Sequence, residues 1–406
     1  MNPAAAIAKK KNLKKIMQYI VDHEEPTRIT IAQALDLSVA TVTNNINDLL
    51  ELNLVSVGEK ISGNRGRKAT ILKFKGDEKY VVTVSMYIQS LLITLIDFNK
   101  NVIRDTQKIT FLERSKAKGE SICETFTQII STYIDNLDES VRNKIECMTI
   151  AVTGIVSRDK KVYASYYEWY NISLLDQLIH RYDFPIYCDN VTRYKALEEV
   201  RLMNNCEMMN VIYLYMGVGV AAVQFFGNRI IEGRNSTSGE IGHICLEPYG
   251  EQCHCGNRGC VERYCGENYM LEEAEKLLGT RDSCEILEHL VYELKEPLTI
   301  ETLIMAEEMG SMKVHGLFIR MAYYIGKTLS FIYNVMDPDC VIVAGKLMEK
   351  CEFVYNAAVQ EMRKNIVNVE AREICLNKAK IREEDLAGVL AQYAINRYIK
   401  DYNFEI

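Results

Sequence analysis

The sequence predicts an α/β protein: a two-lobed body of alternating strands and helices, preceded by a small helical head that ends in a β-hairpin. Three observations predict it. The chain has 406 residues, too many for one ordinary core. Beyond about residue 78, period-two apolar runs take turns with helix-period runs, whereas residues 1–75 hold short helical patterns and one hairpin. Charge divides at the same place. Residues 1–75 carry twelve Lys/Arg against seven Asp/Glu, a head of +5 on a chain of net −7, which leaves −12 on the body. Of the two parts, only the head suits a polyanion.

The bulk composition, 48% hydrophobic and 25% charged, is that of a globular chain. No stretch approaches about 20 uninterrupted apolar residues, so no membrane span is expected. The opening MNPAAAIAKKKNLKK is basic but lacks an apolar segment after it, so it is not a secretory signal. A cytoplasmic protein is expected. Of thirteen cysteines, scattered ones such as Cys123, Cys147, Cys188 and Cys340 read as small buried apolar groups of a reducing compartment.

In the head, Leu13, Ile16, Met17 and Ile20 predict a first helix over about 9–23. A second opens at Thr30, with Gln33 completing a Thr-x-x-Gln capping box and Ile31, Ala34 and Leu35 facing inward. After a tight turn at Asp36-Leu37, Ser38 caps a third helix with an apolar face of Val42, Ile46, Leu49 and Leu50. The opposite face is short and polar: Ala40, Thr41, Asn44 and Asn47, flanked by Thr43 and Asn45. Asn can pair bidentately with adenine and Thr can meet a thymine methyl, so this face suits a major groove, although a merely solvated face would look the same. The segment LVSVGEK-ISGNRGRKA-TILKF adds two alternating strands around a basic tip containing Arg65, Arg67 and Lys68. Such a tip reaches phosphates or enters a minor groove. Together these elements predict a winged helix-turn-helix over 1–75 that binds double-stranded operator DNA.

The body, 76–406, opens with two strands in YVVTVSMYIQSLLITLIDFNKNVI, followed by a helix at 117–137, a strand at 146–152, a helix at 172–182, a strand at 185–188 and a strand pair within 210–231. Strand, strand, then helix is the order used by the lobes of actin-like (ribonuclease H-like) ATPases. The densest chemistry is GHICLEPYGEQCHCGNRGCVERYCG at 242–266. With GEIGH at 239–243, CHCGNRGC at 253–260 and Glu262, the body resembles the ROK family (repressors, open reading frames and sugar kinases) over nearly the whole chain.

The resemblance implies a sugar and nucleotide cleft, and this sequence departs from it in an informative way. Where family kinases carry Asp-x-Gly-Gly-Thr, the turn here is Ser85-Met86-Tyr87-Ile88-Gln89. The second phosphate loop is Gly217-Val218-Gly219-Val220-Ala221, and the adenosine-side glycine pair is reduced to Gly345-Lys346. The general base of the kinases is the aspartate of Asn-Asp-x-Asn. Here Asn190 matches the asparagine and Val191 stands in the aspartate's place, and valine takes no proton. Asp189 is one position early and, on an extended segment, faces the other way. No kinase activity is expected. The resemblance leaves Asn190, Glu240, His243 and Glu262 as ligand-binding positions for a sugar or sugar phosphate effector.

His243, Cys253, Cys255 and Cys260 match the family's metal positions and form a Cys₃His set for a structural Zn²⁺, closed because four protein ligands leave no open position. Gly256 and Gly259 permit the fold-back. Cys245 and Cys265 lie outside the pattern, and His254 is expected to point outward. A DNA-reading finger is excluded, since it needs a second histidine pair and its own recognition helix. The expected protein is a regulator, a repressor, working as a homodimer or homotetramer. The helix over 313–335 and the terminal helix over 385–400 are read as body elements that also contribute to self-association. Two rivals are an active sugar kinase with an appended head and a ligand-independent DNA-binding scaffold.

Overall fold

The computed structural model describes residues 3–404 apart from 63–67, 88–89, 111–119, 165–167, 204–208 and 280–282. Helix α1 (Pro3–Asp22) starts earlier than its apolar stripe suggests, and Leu13, Ile16 and Met17 are fully buried. Helix α2 (Arg28–Ala34) is capped one turn before the expected place. Thr27 Oγ1 accepts from the Thr30 amide at 3.2 Å while Thr30 Oγ1 accepts from the Thr27 amide at 2.8 Å. A second threonine does the work assigned to Gln33, which is exposed on the next turn. Asp36 takes the left-handed turn (φ 52°), and Ser38 caps α3 (Val39–Glu51) by accepting from the Thr41 amide at 3.0 Å. An antiparallel pair, β1 (Val55–Ser62) and β2 (Lys68–Phe74), follows.

The body contains two five-stranded sheets of the same topology. In the first, β3 (Tyr80–Met86), β4 (Ser90–Asp97) and β5 (Val102–Thr110) form an antiparallel run, and β6 (Ile145–Val152) and β7 (Ile186–Asn190) extend it in parallel beyond β3. In the second, β8 (Asn210–Met216), β9 (Val220–Phe226) and β10 (Arg229–Ile230) repeat the antiparallel run, with β11 (Cys340–Ala344) and β12 (Leu376–Lys378) parallel beyond β8. Each sheet therefore reads third, second, first, fourth, fifth strand, the repeat behind a two-lobed actin-like body. The first sheet buries one face under α4 (Glu120–Asp135), through Ile122, Phe126, Ile130 and Ile134. The helix expected over 172–182 is confined to Asp176–Arg181, because Trp169–Ile172 is a strand of a separate small sheet and buries Trp169.

Helix α5 (Val191–Arg201) leaves the end of β7 and lies between the lobes. The second sheet packs against α6 (Met312–Met336), which in turn packs along α7 (Glu352–Asn365) through Phe318, Ile325, Leu329, Ala358 and Met362. Helix α6 keeps Met312, Ile319, Tyr323 and Val335 exposed.

The terminal helix α8 (Leu386–Asp401) corrects its sequence assignment. It is spent inside the molecule. Leu386, Val389 and Leu390 pack with Tyr194 and Ala151, while Ala391, Ala394, Ile395 and Ile399 join Leu13, Ile16, Ile46 and Leu49 of the head and Val81, Ile96 and Phe98 of the first sheet in one cluster. Head and body thus share a core. A polar seam lines it, with Gln18 Nε2 donating to Asn396 Oδ1 at 2.8 Å. Cys123, Cys147, Cys188 and Cys340 are buried, as apolar thiols should be. Among the described residues, no helix is long and apolar enough to cross a membrane.

Candidate functional sites

On α3 the apolar face is buried and the polar face only partly open. Ala40, Asn44 and Asn47 are exposed, whereas Thr41 and Thr43 are half-buried, with the Thr41 hydroxyl against Ser38 Oγ at 2.8 Å and the Thr43 hydroxyl donating to the Val39 carbonyl at 2.8 Å. Asn45 is a correction. It is 4% exposed and its amide donates to the Thr41 carbonyl at 2.7 Å, because its position falls between the apolar Val42 and Leu49 on the packed side. It offers nothing to a base edge. Arg65 and Arg67 lie outside the described residues, as does the side chain of Lys68.

The cysteine-rich segment folds back as its glycines require. Gly259 has φ 65°, and a Cβ there would stand 1.7 Å from the Glu247 carbonyl oxygen, so no larger residue fits; Gly256 has φ 95°. The ligand atoms of His243, Cys253, Cys255 and Cys260 all lie within 4.8 Å of one another. Cys255 and Cys260 sulfurs are 3.7 Å apart, and Cys253 Sγ is 3.8 Å from His243 Nδ1. A tetrahedron with zinc–sulfur arms of about 2.3 Å has edges of about 3.8 Å, so the set is compatible with a tetrahedral zinc ion. Burial and the adjacent sulfurs push the Cys260 thiol well up, a cost that a cation would reverse. Cys245 is exposed and Cys265 buried elsewhere, neither in the set.

His243 can serve two neighbours because its nitrogens diverge. With Nδ1 turned to the sulfurs, Nε2 is 3.9 Å from Glu240 Oε2. Glu262 is fixed from both sides: Oε2 accepts from the Val220 amide at 2.9 Å, and Oε1 is 3.3 Å from His254 Nδ1. His254 is exposed, as the sequence led us to expect, yet its ring leans over Glu262 and stands edge-on to His243 at 5.5 Å between centroids. The tight turn that brings Cys253 and Cys255 to one point leaves the intervening side chain facing Glu262. Burial pushes the Glu240 carboxyl above the ordinary range, opposed by His243, reinforced by Glu262 and opposed again by Arg193.

Asn190 is committed to structure. Its side-chain oxygen accepts from the Thr192 amide at 2.7 Å and its nitrogen donates to the Gly154 carbonyl at 2.5 Å, so it caps α5 rather than facing the cleft with free donors. Asp189 accepts from Arg193 Nη1 at 3.3 Å, and burial pushes its carboxyl up. Arg193, which sequence reasoning missed, also donates to the Ser236 carbonyl at 2.7 Å.

Around the Gly217–Gly219 loop and the Tyr87 turn, side chains are engaged with one another. A Cβ at Gly217 would meet the Tyr215 hydroxyl at 2.2 Å, and the Glu267 amide donates to the Gly217 carbonyl at 2.8 Å. Glu383 pairs with Lys195 and accepts from the Tyr87 hydroxyl at 2.7 Å. Lys346 pairs with Glu301 at 3.0 Å. Glu267 and Glu383 carried no motif that would have singled them out.

The ROK family model matches residues 90–397. The DNA-binding transcriptional dual regulator NagC of Escherichia coli is 25% identical over 350 residues, covering 84% of this chain and 82% of the relative. The xylose repressor of Bacillus subtilis is 23% identical over 360 residues, covering 88% of each. Among solved structures, a ROK family transcriptional regulator homologous to the E. coli MLC protein superposes with a TM-score of 0.75 at 19% identity, over 97% of this chain and 98% of that one. A ROK family glucokinase from Streptomyces griseus, in complex with glucose and AMPPNP, gives 0.63 at 20% identity over 78% of this chain and 98% of that one.

Proposed function

The chain belongs to the ROK family, and from that premise we propose that it is a sequence-specific DNA-binding transcriptional regulator, a repressor of carbohydrate metabolism. Its head is a winged helix-turn-helix whose α3 enters the major groove through Ala40, Thr41, Thr43 and Asn44, with the Arg65–Lys68 tip on the backbone or minor groove. Its body binds a sugar or sugar phosphate against Glu240, His243 and Glu262, where carboxylates and imidazole match hydroxyls that both donate and accept. The regulators named above, which extend over both head and body, support this.

One observation carries the non-catalytic part. Val191 occupies the position of the kinases' base and is the first residue of α5, while the neighbouring Asp189 is engaged by Arg193. The carboxylates Glu267 and Glu383 beside the phosphate loops further oppose an anionic nucleotide. Zinc would be held by His243, Cys253, Cys255 and Cys260 and would supply structure alone, fixing the segments that carry Glu240 and Glu262. The protein works as a homodimer, with the exposed apolar residues of α6 in the contact and two α3 helices presented to a pseudo-palindromic operator.

The test combines two measurements on the purified full chain. Operator selection from random duplex DNA should yield a two-fold symmetric site, and a thermal-shift panel of sugars and sugar phosphates should give at least one stabilising ligand. A coupled ADP-release assay over the same panel should stay at background. ADP release dependent on a sugar would establish the kinase rival; a selected site with no stabilising sugar would establish the ligand-independent scaffold.

A further inference from the structure

Helix α5 is buried although its sequence is polar. Arg193, Lys195 and Glu199 are 9%, 4% and 3% exposed. A buried charge must be paired or it costs several kcal/mol. Each charge of α5 is paired, and the partners outside the helix come from several segments. In the first turn, Arg193 bridges Asp189 at 3.3 Å and the Ser236 carbonyl at 2.7 Å. Ser236 is buried, has φ 59°, and leads directly into the Gly239–His243 segment that carries Glu240. In the middle, Lys195 pairs with Glu383, and Glu199 accepts from the amides of Lys380 and Ile381 at 2.5 and 2.6 Å. Both partners lie on the segment that enters α8. At the last turn, Arg201 donates to Glu198 twice at 2.7 Å and reaches Asp22, the final residue of α1, at 3.3 Å. Asp22 in turn accepts from Gln18 at 3.0 Å, the side chain that also holds Asn396 of α8.

A single rod of about 16 Å therefore has one end bonded to the segment that leads to Glu240 and the other on the head. Buried ion pairs contribute little net stability and are best attested as devices that fix register. Pairings that reach Ser236, the 380–383 segment and α1 serve register well and stability poorly.

We propose that α5 couples the pocket to the DNA-binding head. Movement of the Gly239–His243 segment on effector binding displaces Ser236 and, through Arg193, the first turn of α5. The helix moves as a unit, and Arg201–Asp22 passes the displacement to α1, which packs on α3. This rests on the pocket being an effector site, but the coupling itself is a property of the unliganded chain and can be measured there.

The experiment is a double-mutant cycle read by hydrogen exchange in the full-length protein. Four proteins are compared: wild type, Arg193→Met, Arg201→Ala and the double variant. Peptides covering the second half of α1 and α3 report the head, and a peptide over β11 reports global opening. Arg193→Met should raise head exchange by about three-fold or more, the lower range of coupling between interacting sites, with β11 unchanged. In the Arg201→Ala background the same substitution should leave head exchange unchanged. Asp22→Ala, placed far from the pocket, should behave as Arg201→Ala does. Arg193→Lys, which keeps a charge for Asp189 but not both bonds, replaces Arg193→Met if the latter fails to fold. Head exchange that ignores Arg193, or that responds equally with and without Arg201, would overturn the coupling. Neither result bears on whether a sugar binds, which the thermal-shift panel decides separately.

Discussion

Glu267→Gln should make the protein more stable at pH 8 and nearly indifferent at pH 5. Glu267 is 8% exposed under the Gly217–Gly219 loop. Burial pushes its carboxyl up to about 7, with Lys346 pulling it back, Glu301 and Glu383 pushing it further, and Lys195 pulling it back. Relative to an ordinary glutamate this corresponds to about 3 kcal/mol. The sign follows from linkage. A carboxyl raised in the folded state costs nothing below the unfolded value, near 4.5, and its full penalty is present above about 7. Wild-type stability therefore falls as pH rises between those values, and glutamine removes that slope. For a chain of this size, about 3 kcal/mol is about 3–4 °C in Tm. Paired thermal melts of the two proteins at pH 5 and pH 8 measure it. An equal Tm at pH 8, or a gain at pH 8 matched by the same gain at pH 5, would refute the buried-carboxylate account. With it would go part of the reason for expecting no nucleotide at this loop.

Further outcomes follow from other parts of the molecule. Arg65→Ala with Arg67→Ala should weaken operator binding for all sequences and reduce the salt slope by about 2, measured by titration at several salt concentrations. Asn44→Ala should cost about 1–3 kcal/mol at one base position; Asn45→Ala should leave base preference intact and lower Tm, since Asn45 is bonded inside the head. Metal analysis should find one zinc per chain in the wild type, and Cys255→Ser should lose it together with affinity for any stabilising sugar. Removing residues from Leu386 onward should strip the head of Ala391, Ala394 and Ile395, and circular dichroism and proteolysis should show α1–α3 destabilised along with the body.

The parts of this fold that sequence made legible are those with a strong period or fixed spacing. The stripes of α1 and α3, the alternation in β3 and β4, and the Cys-x-Cys spacing all translate directly into geometry. Boundaries and orientations were less legible. The capping box moved from Thr30 to Thr27 because threonine can play both of its parts. Asn45 and Asn44 are chemically the same, and only the 100° step between them decides which one packs. His254 is exposed as expected, but its approach to Glu262 comes from the turn that joins its two neighbours, a constraint on the backbone with no compositional mark. Arg193, Glu267 and Glu383 were invisible for a different reason. Their environments are made by segments up to about 190 residues away, and an isolated charge in a sequence looks like surface.

The core shared by α1, α3, β3 and α8 bears on how such a chain can evolve. A winged head joined by a loose linker is a module, and recombination can exchange it whole. Here the head's lower face is completed by α8, a helix encoded more than 300 codons away from α3. A crossover that imported a new head would leave that face matched to the wrong helix. Operator preference in this lineage should therefore drift by substitution on the exposed side of α3, while α1 and α8 change in step.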